Sequence, residues 1–224
     1  MSAHRLDPAV YLVTDTGLCG GPDGVARTVE VAVRHGVTAV QLRDPGASTR
    51  ALATLARTLL AGLRRTGVPL VVNDRLDVAL AVGADGVHLG QRDLDPVSAR
   101  RLAGPDLHLG LSVSTVREAT EALALPAGTV DLLGVGPVLA TSSKPDAAPP
   151  GGWATLRSIC ALSPLPCVAI GGLGAGHAED VRRSGAAGMA VVSEICGRPD
   201  VAAASARLSR AWDAAAPAGT GAVR

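Results

Sequence analysis

Short runs of apolar residues recur along this chain, and each is followed by a longer stretch in which apolar residues return with helical spacing. Eight of these runs are interpreted as buried strands: 10–13, 39–42, 70–72, 86–89, 108–111, 132–135, 167–170 and 189–192. Helical patterns fill most of the gaps, with Gly or Pro near their ends, for example over 50–65, 76–82, 115–123, 177–184 and 201–213. Eight alternating units predict an α/β fold, a single (β/α)8 TIM barrel.

A doubly wound open sheet is the alternative fold. It would carry a G-x-G-x-x-G turn after its first strand if it bound a dinucleotide, and no such turn follows residues 10–13. We therefore assign residues 1–214 to one barrel domain. The last ten residues, 215–224, are small and polar, and we expect them to form a flexible tail.

Composition excludes several kinds of partner. The net charge of +1, from 21 basic and 20 acidic side chains, gives no basic surface for nucleic acid. Polar residues interrupt every apolar run before the roughly 20 residues that a membrane helix needs. The N-terminus MSAHRLDPAV lacks a signal-peptide layout, so we expect a cytoplasmic protein. Composition leaves both a monomer and a homo-oligomer open.

Cysteine and histidine spacing indicates neither a zinc site nor a disulfide framework. The four cysteines are scattered without a C-x-x-C pair, and the five histidines form no ligand pattern. His88 and His108 fall inside predicted strands, where a structural role is the first interpretation.

Two aspartates stand just past consecutive strands of one βαβ unit. Asp74 follows the third strand and Asp93 the fourth. Parallel strands end at the same edge of a sheet, so the two carboxylates are predicted to meet there. Each aspartate alone would be interpreted as a helix cap or a turn residue. Two carboxylates at equivalent positions after neighbouring strands are suited to binding a hard cation.

Further polar and glycine residues follow the other strands, and a barrel would bring them together at one mouth. Gly171-Gly172 and Ser193 follow the last two strands, where barrels often bind phosphate. A long loop over 136–152 carries Thr141, Ser142 and Ser143 next to Lys144, the only lysine in the chain. Three hydroxyls beside an ammonium group form a suitable anion site.

The motifs together resemble those of the thiamine phosphate synthase family. They occur in that family's order over about residues 9–213: QLRD at 41–44, VNDR at 72–75, HLGQRD at 88–93, GLS at 110–112, GVGP at 134–137 with Thr141 and Lys144, and IGG at 170–172. The resemblance implies a (β/α)8 barrel that joins hydroxymethylpyrimidine diphosphate to hydroxyethylthiazole phosphate, releasing diphosphate and using Mg²⁺. It also implies two small-molecule substrates as partners, the pyrimidine diphosphate and the thiazole phosphate.

The resemblance assigns roles by position. It implies that Asp74 and Asp93 hold Mg²⁺, and that Arg43, Lys144 and Ser112 act in catalysis. The resemblance assigns the diphosphate to Arg43, Asn73 and Lys144, and the pyrimidine to Gln41 and Ser112. It assigns the thiazole phosphate to a third group: Thr141, Ser143, Gly172, Val192 and Ser193. One departure is Pro45, which stands where the family usually has a lysine.

Two other functions compete with the synthase. A thiazole tautomerase on a similar barrel would bind the same thiazole phosphate without metal or diphosphate, and retention of both aspartates, Arg43 and Lys144 argues against it. A non-catalytic phosphate-binding barrel is the third hypothesis, because a fold does not determine a function.

Overall fold

Eight short parallel strands pair in sequence order and close into a barrel in this computed structural model, which describes residues 6–144 and 148–216. The strands are β1 Val10–Val13, β2 Ala39–Leu42, β3 Leu70–Asn73, β4 Gly86–Leu89, β5 His108–Val113, β6 Leu132–Val135, β7 Cys167–Ile170 and β8 Gly188–Val191. Pairing of β1 with β8, for example Leu12 with Val191, closes the ring.

Eight α-helices alternate with the strands in the described part of the chain. They are α1 Pro22–Arg34, α2 Thr49–Leu63, α3 Leu76–Val82, α4 Pro96–Ala103, α5 Val116–Leu123, α6 Gly152–Leu162, α7 Ala178–Arg183 and α8 Val201–Ala214. A 3₁₀ turn, Ala175–His177, precedes α7. The predicted (β/α)8 TIM barrel is therefore confirmed.

Most predicted boundaries agree with the structure to within two residues. The strand predicted at 108–111 continues to Val113, and that predicted at 70–72 continues to Asn73. The strand predicted at 189–192 instead runs over Gly188–Val191. The predicted tail lies mostly outside the described residues, which end at Ala216.

Alternation along the strands divides the core into two layers. On β1, Val10 and Leu12 pack outward against the helices, in the larger apolar cluster. Tyr11 and Val13 point into the barrel and join a smaller cluster with residues such as Leu132. Burying one such aliphatic side chain contributes roughly 1.5–3 kcal/mol, so both layers stabilise the frame that carries the strand ends.

Side-chain caps set where several helices begin. The hydroxyl of Ser48 accepts a hydrogen bond from the Ala51 amide at the start of α2. Thr115 and Glu118 form a reciprocal capping box at the start of α5. Among the described residues, no helix has both the length and the apolar character needed to span a bilayer.

Candidate active site at the barrel mouth

A cavity of about 380 Å³ opens at the carboxyl ends of the strands. The structure brings all ten predicted substrate-binding residues to its wall, where they come from the ends of β2, β3 and β5 and from the loops after β6, β7 and β8: Gln41, Arg43, Asn73, Ser112, Thr141, Ser143, Lys144, Gly172, Val192 and Ser193. Residues far apart in the sequence therefore surround one space of ligand size.

The two predicted metal ligands, Asp74 and Asp93, lie near each other beside this cavity. Asp93 is close enough for its negative charge to disfavour ionisation of Asp74. Burial and the neighbouring Asp93 raise the pKa of Asp74 to about 6, although Lys144 and Arg43 pull it down.

The backbone holds this acidic pair in place. Asp74 is the one described non-glycine residue with positive φ, at 61°, and its amide donates to the His88 carbonyl at 2.8 Å. The Oδ2 atom of Asp93 accepts from the Gly90 amide at 2.6 Å. No group of three or more His, Cys, Asp or Glu side chains suited to a metal occurs among the described residues. A pair of carboxylates fits a hard divalent cation that completes its shell with phosphate oxygens and water.

Two cationic side chains stand close to the acidic pair. Arg43 follows β2, and its amide donates to the Thr14 hydroxyl at 3.0 Å, which ties the end of β2 to that of β1. The ammonium group of Lys144 is near enough to lower the pKa values of both Asp74 and His88. Opposite charges thus meet at one side of the cavity.

His88 lies in the cavity wall, a position that its predicted structural role did not suggest. Its Nε2 atom is 2.9 Å from the Ser112 Oγ. A Cβ atom on Gly110 would lie 2.4 Å from His88 Nδ1, and one on Gly134 would lie 2.8 Å from Cε1. Glycines on the next two strands therefore make room for the imidazole ring. Inward alternation on β4 together with these glycines is the signal that could have found it.

Burial keeps the His88 ring uncharged. It lowers the pKa of His88 to about 4, helped by the charges of His108 and Lys144 and opposed by Asp93. The neutral ring holds the Ser112 hydroxyl, while Gln91 Nε2 donates to the Ser112 carbonyl at 2.7 Å. Ser112 is consequently fixed from two sides.

A tyrosine inside the barrel supports Gln41. The Gln41 Nε2 atom lies 3.4 Å from the Tyr11 hydroxyl, and both side chains are buried. Burial raises the pKa of Tyr11 well above its ordinary value. The phenol therefore stays protonated and can orient the Gln41 amide.

The loops after β6 and β7 pack backbone against backbone. The Val138 amide donates to the Ile170 carbonyl at 2.8 Å, and the Leu139 amide donates to the Gly171 carbonyl at 3.0 Å. Gly171 and Gly172 have φ values of 102° and 67°, and a Cβ on Gly172 would lie 2.4 Å from the Ala140 carbonyl oxygen. The Gly-Gly pair is thus required by both conformation and space.

Comparison with known proteins decides the family. The family model described as thiamine monophosphate synthase matches residues 10–195. A thiamine-phosphate synthase of Azorhizobium caulinodans is 52% identical over 208 residues, which cover 92% of this chain and 95% of the relative. The chain belongs to the thiamine monophosphate synthase family. The resemblance seen in its motifs is confirmed.

Other relatives of this thiamine monophosphate synthase family member agree. A thiamine-phosphate synthase of Chloroflexus aurantiacus is 49% identical over 206 residues, covering 92% of this chain and 93% of the relative. The solved structure of a thiamine phosphate pyrophosphorylase from Pyrococcus furiosus superposes with a TM-score of 0.84 at 34% identity. That comparison covers 95% of this chain and 98% of the other.

Pro45 marks where this family member departs from the family's usual motif. It lies in an exposed turn after β2, in which the Asp44 carboxylate accepts from the Gly46 amide at 3.2 Å. A proline carries neither a charge nor a backbone donor at this position.

Proposed function

We propose that this protein is a thiamine-phosphate synthase, an alkyl-group transferase that joins hydroxymethylpyrimidine diphosphate to hydroxyethylthiazole phosphate and releases diphosphate. The observation that carries the proposal is the meeting of polar strand ends around one cavity, with the Asp74–Asp93 pair beside Arg43 and Lys144. Names and identities of the relatives support the same reaction.

The diphosphate would lie where opposite charges meet. Arg43, Asn73 and Lys144 line this part of the cavity and would bind the phosphate oxygens. Asp74 and Asp93 would hold Mg²⁺, which when bound neutralises charge on the departing diphosphate. By analogy with oxyanion holes, each preorganised donor of this kind lowers the activation free energy by roughly 3–4 kcal/mol.

The pyrimidine would lie deeper, against Gln41 and Ser112. When the bond from the pyrimidine methylene to the diphosphate oxygen breaks, both electrons leave with the oxygen, and positive charge develops on the methylene and ring. His88, whose pKa of about 4 keeps it neutral near pH 7, adds no opposing charge there. Charge neutralisation of the leaving group therefore matters more than a catalytic base.

The thiazole phosphate would occupy the far side, with its phosphate among Thr141, Ser143, Gly172, Val192 and Ser193. The thiazole nitrogen then gives its lone pair to the methylene carbon and forms the new C–N bond. The nucleophile needs no deprotonation, so holding the two rings in line supplies much of the remaining acceleration.

Purified protein incubated with both substrates tests the proposal. We expect thiamine phosphate and diphosphate to appear in equal amounts and only when both substrates are present. Isomerisation of a thiazole phosphate in the presence of chelator, without diphosphate release, would favour the tautomerase instead. Binding of both compounds without any reaction would favour the non-catalytic barrel.

A further inference from the structure

We propose that Glu194 is a positioning residue for the thiazole-phosphate end of the cavity, where it holds the loops after β7 and β8 in one arrangement. The inference rests on the proposed function, because it concerns the site to which that function assigns Gly172 and Ser193. Glu194 follows Ser193 directly and itself lines the cavity.

Three donors converge on the Glu194 carboxylate. The Oε1 atom accepts from Arg207 Nη2 at 2.8 Å and from the Ala175 amide at 3.5 Å. The Oε2 atom accepts from Arg198 Nη2 at 3.2 Å. Only 14% of the side chain is exposed, so it is enclosed by these partners.

These contacts fasten the loop after β7. The amide of Gly174 donates to His177 Nδ1 at 3.1 Å, and the next amide, that of Ala175, donates to Glu194. A Cβ on Gly174 would lie 3.1 Å from the Glu194 carboxylate, so the loop backbone runs directly over it. The amides of Gly174 and Ala175 are thus both held by hydrogen bonds, close in sequence to Gly172.

The same network fastens the loop after β8. Arg198 Nε donates to the Ser193 carbonyl at 2.8 Å while its Nη2 reaches Glu194. Arg207, on α8, fixes the other carboxylate oxygen. Both loops are therefore connected through one side chain to a helix outside the barrel.

Charge explains why a carboxylate can stand here. An isolated carboxylate would repel a phosphate, but Glu194 is flanked by two guanidinium groups, which leaves the group of three with a charge of +1. The arginine side chains are 47% and 54% exposed, so the pairs contribute little to folding stability. We therefore expect loss of Glu194 to change ligand binding more than folding.

The test is Glu194→Gln, which keeps the shape and removes the charge. We expect the Kd for thiazole phosphate alone, measured by calorimetry, to rise about fivefold or more, and its KM to rise in parallel. The KM for the pyrimidine diphosphate and the kcat at saturating thiazole phosphate should stay near the wild-type values. Glu179→Gln is the matched control, because Glu179 forms an exposed pair with Arg183 on α7.

Unchanged or tighter binding of thiazole phosphate by Glu194→Gln would overturn the proposal, as would equal weakening of both substrates. If that variant does not fold, Arg207→Gln removes the helix contact at an exposed position, and the same selective weakening is expected. If wild-type protein binds thiazole phosphate but forms no thiamine phosphate, the proposed function is refuted. The Kd of Glu194→Gln for thiazole phosphate would then still test the role of Glu194.

Discussion

The Oγ atom of Ser112 lies 2.9 Å from Nε2 of His88, and this contact joins the ends of two neighbouring strands in the cavity wall. The pKa of the buried ring is lowered to about 4, so the contact is made by a neutral imidazole at neutral pH. Ser112 is thereby oriented without a positive charge being added next to the pyrimidine end of the proposed site.

Substitution of the glycine beside this ring should disturb both stability and activity. In Gly110→Ala the new Cβ would lie 2.4 Å from His88 Nδ1, so the imidazole ring must move. We expect this movement to break the hydrogen bond between His88 Nε2 and Ser112 Oγ. We expect destabilisation of about 1–3 kcal/mol in denaturant titrations, with a lower kcat/KM. Gly62→Ala is the control, because Gly62 is in α2 with open space around it and the change should stabilise by about 0.5–1 kcal/mol. Wild-type behaviour of Gly110→Ala would contradict the packing described for His88.

Alkaline pH should act on the fold through Tyr11, the only tyrosine in the chain. Its pKa is raised by burial above the ordinary value of 10.0, so the unfolded chain loses the phenolic proton before the folded protein does. The contribution of Tyr11 to stability is therefore intact below pH 10 and is lost as the pH rises beyond it. Tyrosinate absorbance should appear together with loss of the circular dichroism signal. Tyrosinate forming while the fold is intact would show that the phenol is accessible.

Removal of the single lysine should slow turnover strongly. Lys144 lies near enough to lower the pKa of Asp74, so its charge also reaches a diphosphate bound there. In Lys144→Ala we expect kcat to fall by about 100-fold or more, with partial recovery in Lys144→Arg. Arg117→Ala is the control, because Arg117 forms an exposed pair with Glu121 on α5. A kcat within twofold of wild type in Lys144→Ala would remove Lys144 from the mechanism.

Much of the fold and of the candidate site follows from local sequence pattern. Buried strands have a clear apolar signature, and the residues that follow them meet because parallel strands end together. That is why Asn73 and Ser193, 120 positions apart in the numbering, could be placed at one mouth before the structure was known. Their roles toward substrates stay predictions.

Other features depend on contacts that local pattern does not contain. The last strand begins at Gly188, one residue earlier than predicted. A Cβ on Gly188 would lie 1.7 Å from the Pro8 carbonyl oxygen, so a larger residue does not fit there. Glycine fits that close approach but is a weak strand signal. The space for the His88 ring depends on glycines of other strands. Glu194 accepts a hydrogen bond from Arg207, which lies 13 residues later in the sequence. Register and loop packing determine these contacts.

Magnesium dependence of diphosphate release tests the central claim, that Asp74 and Asp93 hold a cation beside the departing diphosphate. With both substrates, we expect wild-type release to saturate with Mg²⁺ and to stop when a chelator is added. Asp93→Ala should keep the circular dichroism spectrum and melting temperature but lose about 100-fold or more of turnover. Asp106→Ala, at an exposed turn, should behave as wild type. Normal turnover in Asp93→Ala, or release that continues with chelator present, would contradict the account.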